Sequence, residues 1–215
     1  MKHYELKFEF QHLRFLGVDS KLSENCLGYF YQPKQKKLIQ FNILDNLKVI
    51  RLYSGLVHHI GLTSRHEKFL KVYCLFELLG GKPDTSWRAI RVSISHSPKK
   101  VTDKKLVNYL LENFGELDIS FRNYRQNKLF YDVFTELVEA TYSEILKLLN
   151  NPMNVQSDAG QEIIKILDTL KSKHNKRRNR LTAYWDNDFE SKLEKYIPYR
   201  VSAGRIRYVI GDYSN

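Results

Sequence analysis

The rhythm of apolar and polar positions changes once along the chain. From Met1 to about Asp45 it has period two: Tyr4, Leu6, Phe8 and Phe10 are separated by Glu5, Lys7 and Glu9, the alternation of strands with one buried face. Within this part, "LGYFYQPKQKKLIQFNIL" predicts two strands around a polar turn at Pro33 to Lys37. Residues 1–45 therefore read as a small antiparallel sheet. From Asn46 the spacing becomes helical. "HEKFLKVYCLFELL" puts Phe69, Leu70, Tyr73 and Phe76 on one stripe and ends at Gly80-Gly81. "DKKLVNYLLENF" has Thr102 and Asp103 as start signals and Gly115 as its stop. "NKLFYDVFTELVEATYSEILKLLNN" predicts the longest helix, with Phe130, Phe134, Leu137, Thr141, Ile145 and Leu148 near one face. Asp158, with Gln161 three residues later, resembles a capping box for "QEIIKILDTLKSK". The pattern gives an α+β chain: a mainly helical body over 46–185, preceded by the sheet over 1–45. A C-terminal extension over 186–215, holding one helix and a short strand, is expected to pack back on that body.

Between the helices lies "TSWRAIRVSISHSP", Thr85 to Pro98. On a helical wheel Trp87, Ile90 and Ile94 form a core-facing stripe, and Arg88, Arg91, Ser95 and His96 fall outside it. Pro98 disfavours helical geometry at Ser97, so His96 is expected in the last turn. There the negative end of the helix dipole favours a protonated imidazole, which can fold back toward Arg91.

Composition narrows the setting. An apolar fraction of 42% and a charged fraction of 27% are those of a globular domain, and 215 residues suffice for one well-cored domain or one with an appendage. The N-terminus lacks the continuous apolar core of a signal peptide, and nothing approaches eighteen consecutive apolar residues, so no membrane span is expected. Cys26 and Cys74 are too few for a disulfide framework and read as reduced thiols of a cytoplasmic protein. The net charge of +11 is what changes the picture, because it points to a polyanionic partner. Lys171, Lys173, Lys176, Arg177, Arg178 and Arg180 lie in "KSKHNKRRNR" with no acid among them. Such a run binds a nucleic-acid backbone by releasing counterions; the plainer reading is a solvated helix end.

Cutting RNA without a metal needs a group to take the 2′-hydroxyl proton, a group to protonate the leaving oxygen, and a fixed cation for charge growing on phosphorus. Histidine and arginine supply these. The interval Arg91-Val92-Ser93-Ile94-Ser95-His96, in a helical context, resembles the Arg-x4–6-His motif of the HEPN superfamily, over roughly Asn46 to Asn150. A long helix ending in "CLFELLGG" before the motif, and "VTDKKLVNYLLENFGELD" with a long amphipathic helix after it, fit the same pattern. The resemblance implies a HEPN-like helical bundle and a metal-independent endoribonuclease of toxin–antitoxin or defence systems, with no cofactor. It implies a homodimer whose two motifs line one cleft, a cleavage that leaves a cyclic phosphate, and a possible cognate antitoxin. By position Arg91 would bind or polarise the phosphate and His96 would be the acid–base group. Arg88 has no family counterpart; by position alone it could hold a second phosphate. The chain departs from the pattern at Val92, where active members often carry a polar residue.

Short motifs recur by chance, and Arg51 with His58 in "RLYSGLVHH" is a second match. The later pair is preferred for its helical context and for the stop at Pro98. His58, His59 and His66 have no acidic partner at metal-ligand spacing and read as surface or partly buried residues. Glu67 and Glu77 fall on separate faces of one helix; either could orient His96, and pairing with a surface lysine is the plainer role. The many Tyr and Phe residues could stack bases, but most fall at core spacing. No glycine-rich phosphate loop and no convincing Ser–His–Asp order appears. Three classes remain: a HEPN-type ribonuclease, a non-catalytic nucleic-acid-binding protein using the same basic face, and a partner-binding helical protein whose charge serves solubility.

Overall fold

A computed structural model describes residues 14–19, 27–32, 34–61, 64–95, 102–119 and 124–165, with the backbone alone for 14–19. The chain is α+β, mainly helical, with a small antiparallel sheet near its N-terminus. Its contacts divide it into two compact units: 1–54 together with 148–215, and 55–147.

The first unit holds the sheet. β1 (Arg14–Asp19), β2 (Leu27–Gln32) and β3 (Lys37–Asn42) pair antiparallel in that order. β2 and β3 form the expected hairpin in unbroken register from Leu27↔Asn42 to Gln32↔Lys37. At its turn Lys36 takes a positive φ of 48°. Phe30 and Phe41 stack across the ladder at 4.9 Å, and Tyr53 closes on Phe30 at 5.1 Å, the cross-strand aromatic contact that stabilises such pairs. A fourth strand was not legible in the sequence. β4 (Met153–Asn154), only two residues long, lies on the open edge of β3.

Asn46 joins the two chain segments of this unit. It ends a 3₁₀ turn over Leu44–Asn46 and is 1% exposed. Its Nδ2 donates to the carbonyls of Asn42 (2.7 Å) and Asn150 (3.2 Å), and its Oδ1 accepts from the Asn150 N–H at 2.6 Å. Asn150 returns a bond from its own side chain to the Asp45 carbonyl. After β4 the chain turns helical over 158–165. The side chain that caps this turn is Ser157, whose Oγ accepts from the Gly160 N–H at 3.2 Å, so the start signal sits one residue before the expected Asp158.

α1 (Leu47–Ile60) runs from the first unit into the second. The second unit contains α2 (Arg65–Leu78), α3 (Thr85–Ser95), α4 (Lys104–Phe114) and α5 (Tyr124–Lys147). α3 packs on α2, α4 and α5, and α5 also packs on α2 and α4. Phe69 of α2 meets Phe130 and Phe134 of α5, each ring pair 5.6 Å apart, and Leu137, Thr141 and Ile145 continue that buried stripe. Leu148, expected on it, lies beyond the end of α5 and is exposed.

The helix ends follow their sequence signals. Ser64 caps α2. At its other end the Gly80 N–H bonds to the Glu77 carbonyl and the Gly81 N–H to that of Phe76, the paired reversal of a Schellman turn. Gly80 has φ 84°, and a Cβ at Gly81 would lie 2.4 Å from the Phe76 ring, so both positions require glycine. Asp103 caps α4 and Gly115 ends it at φ 75°. Among the described residues no helix is long and apolar enough to cross a membrane.

Candidate functional site

α3 carries the only described part of the Arg–His motif. Asp84 starts this helix: its Oδ1 accepts from the Trp87 N–H at 2.9 Å and from the Ser86 hydroxyl at 2.6 Å, and its carbonyl takes the Arg88 N–H. The cap orients the first turn. Trp87 drops into the core edge-on to Phe76, with rings 5.1 Å apart and perpendicular, and Ile90 is buried outright. Ile94 departs from the expected stripe and is only half-buried. Ser93 takes the inward position instead. Its hydroxyl donates to the Leu117 carbonyl at 2.7 Å and accepts from the Ile119 N–H at 3.1 Å. A hydroxyl there satisfies two backbone groups that an aliphatic side chain would leave unpaired. Ser93 therefore belongs to the scaffold, although it lies between the two motif residues.

Arg91 lies on the flank of α3 and is half-buried. Its guanidinium carbon stands 5.5 Å from the centroid of the Tyr73 ring of α2, within range of a cation–π attraction. The Glu77 carboxylate, one turn further along α2, acts electrostatically on the Tyr73 hydroxyl. Burial, and next the Glu77 charge, push that phenol up to about 12, against the opposing pull of Arg91 and Arg88. It is thus a neutral donor at physiological pH. Among the described residues no carboxylate pairs with Arg91. Arg88, one turn earlier, is exposed and reaches Asp103, the cap of α4, at 3.5 Å. With both partners about half exposed, this ion pair adds little to stability.

His96 follows Ser95 directly and lies outside the described residues, as do Lys171, Lys173, Lys176, Arg177, Arg178 and Arg180. The structure thus brings together Arg91, Arg88, Tyr73 and Glu77. Glu77, expected as a surface acid or a partner for His96, is exposed on α2, and its charge acts on Tyr73. Glu67 stands in the first turn of α2 with its N–H capped by Ser64. Tyr73 was visible in the sequence only as a core residue, because periodicity shows burial but not which buried ring borders a cation.

The competing match fares differently from its expectation. Arg51 and His58 also lie on a helix, α1, where both are exposed. Helical context therefore does not separate the two pairs, and the stop at Pro98 alone does. His59 is half-buried beside His58, their rings 5.8 Å apart. Burial first, then the charges of His58 and Lys71, hold its imidazole below the usual range. Among the described residues no three His, Cys, Asp or Glu side chains gather as a metal site. No protein-family model, curated protein or solved structure matches this chain.

Proposed function

We propose that the chain is a metal-independent endoribonuclease of the HEPN type, with Arg91 on the phosphate and His96 as the acid–base group. The observation that carries this reading is the state of Arg91. It is a half-buried guanidinium, seated on a tyrosine ring and unpaired with any described carboxylate, on a helix described as far as Ser95, the residue next to His96 in sequence. A cation partly withdrawn from water, with no counter-charge among the described residues, is suited to an anionic ligand.

The reaction is a transesterification. The base removes the 2′-hydroxyl proton and the 2′-oxygen attacks phosphorus. The 5′-oxygen departs with a proton from the acid, leaving a 2′,3′-cyclic phosphate and a 5′-hydroxyl. Arg91 stabilises the negative charge that grows on the phosphoryl oxygens. One motif histidine per chain is poorly supplied for both proton transfers, so a homodimer with two motifs facing one cleft fits the chemistry. Arg88 and the Lys171–Arg180 run supply phosphate contacts away from the scissile bond. By analogy with the family it resembles, such an enzyme would serve a defence or toxin–antitoxin system with a cognate antitoxin.

The test is incubation of the purified chain with mixed RNAs in EDTA, scored for cyclic-phosphate ends. Wild type is expected to cleave, and Arg91→Ala to cleave on the order of a hundredfold more slowly, the usual loss when one donor to the transition state is removed. Equal rates for the two chains would refute the role of Arg91. A second reading, binding without cleavage, is favoured by Val92, which stands half-buried where active members often carry a polar residue. Binding of RNA with no cyclic-phosphate product would select it.

Asp103→Asn examines Arg88 under either reading. Asparagine still caps α4 but no longer holds the Arg88 guanidinium. RNA affinity is expected to rise severalfold, and the dependence of log affinity on log salt to steepen by up to about one phosphate's share. Unchanged affinity and slope would show that Arg88 does not meet the backbone.

A further inference from the structure

We propose that Tyr73 is a positioning residue for Arg91, presenting its guanidinium to the phosphate as an already ordered cation. This rests on the reading that Arg91 meets a phosphate.

Tyr73 lies between the core and Arg91. It is 2% exposed, and its ring stacks on Phe69 at 6.2 Å and 27°, the residue whose ring in turn meets Phe130 and Phe134. Arg91 lies over its ring from α3. The ring is therefore fixed in the core by its burial and by Phe69. Arg91 rests on this platform at 5.5 Å. Attraction to a ring face consumes none of the five guanidinium N–H donors, so the ring orders the side chain without taking up its donors. A carboxylate would also order Arg91, but it would compete with the phosphate for those donors. Among the described residues no carboxylate does so. An arginine ordered before its ligand arrives spends less conformational entropy on binding.

A core tyrosine that merely fills space would give none of these dependencies on Arg91. The experiment compares wild type with Tyr73→Phe, Tyr73→Leu, Tyr73→Met and Arg91→Ala, and with the double variants carrying Arg91→Ala. The first readout is the proton shift of the Arg91 Nε–H by NMR, which a ring below the guanidinium moves upfield. The second is the affinity for an oligoribonucleotide with a single 2′-deoxy nucleotide at the cleaved position, which binds without being cut.

Tyr73→Leu and Tyr73→Met are expected to remove the upfield shift and weaken binding about three- to tenfold. Tyr73→Phe should recover the shift and most of the lost affinity, because the ring remains. In the Arg91→Ala background the ringless substitutions should have no further effect, the sign of a direct coupling. Two ringless residues of different shape guard against a local packing failure in either. Loss of the shift with affinity unchanged overturns the positioning role and leaves the ribonuclease reading standing. Equal weakening with and without Arg91 also overturns it, as a packing effect. Undiminished affinity in Arg91→Ala itself overturns the phosphate reading, and the positioning role with it.

Discussion

A His96→Ala chain is expected to bind RNA and leave it uncut. In the proposed reaction two protons move, one from the 2′-hydroxyl and one to the departing oxygen, and each positioned transfer typically contributes about 10²- to 10⁴-fold. If both histidines come from the same position in two copies, a single substitution removes both transfers at once, and cleavage falls below detection. Phosphate binding survives, because Arg91 and Arg88 remain. The measurement is a labelled RNA in EDTA followed by gel, with affinity read separately by anisotropy. Mixing His96→Ala with Arg91→Ala chains adds a control on symmetry: a heterodimer retains one arginine and one histidine, and partial recovery would show that the two copies share a cleft. Cleavage by His96→Ala at the wild-type rate would remove His96 from the chemistry.

The largest expected loss of stability outside the aromatic core follows from Asn46. Replacing it with Leu removes the acceptor of the Asn150 N–H and the donor to the Asn42 and Asn150 carbonyls. Unpaired polar groups at a position only 1% exposed are expected to cost about 2–3 kcal/mol, measured from the denaturant midpoint. Asn46→Asp separates polarity from geometry. The carboxylate can still accept from Asn150, but when ionised it faces two carbonyl oxygens, so the folded state favours its protonated form and its pKa rises above the unfolded value. Stability is then greatest below the unfolded pKa and falls as pH rises through it toward the folded one. A flat pH profile for Asn46→Asp, or a Leu variant as stable as wild type, would contradict this account of the bonds.

Much of the secondary structure was legible because its signals are local. The hairpin shows in the alternation of Leu27–Gln32 and Lys37–Asn42, and the ends of α2 and α4 show in Gly80-Gly81, Asp103 and Gly115. Long-range partners leave no such trace. Asn46 reads as an ordinary polar residue at the start of a helix until Asn150, 104 residues away, supplies its partner. β4 is two residues long and pairs on an existing edge, too short for any period to show. In α3 the choice between Ser93 and Ile94 went against hydrophobicity because the backbone at Leu117 and Ile119 needs a hydroxyl. The candidate site was half legible: spacing singled out Arg91, whereas Tyr73 comes beside it only through the packing of α2 on α3.

The discontinuous sheet unit also has a consequence for the order in which a growing chain can fold. Residues 55–147 interrupt it, and the unit resumes only at Leu148. On a ribosome Asn46 emerges 104 residues ahead of Asn150, a delay of about 5–20 seconds at ordinary rates of synthesis. Throughout that interval the edge of β3 that β4 will cover has unpaired backbone groups, a feature that invites pairing with other chains. The helical segment 55–147 meanwhile emerges whole. A nascent chain stalled just before Asn150 thus carries every helix from α2 to α5 and a sheet that cannot yet be closed.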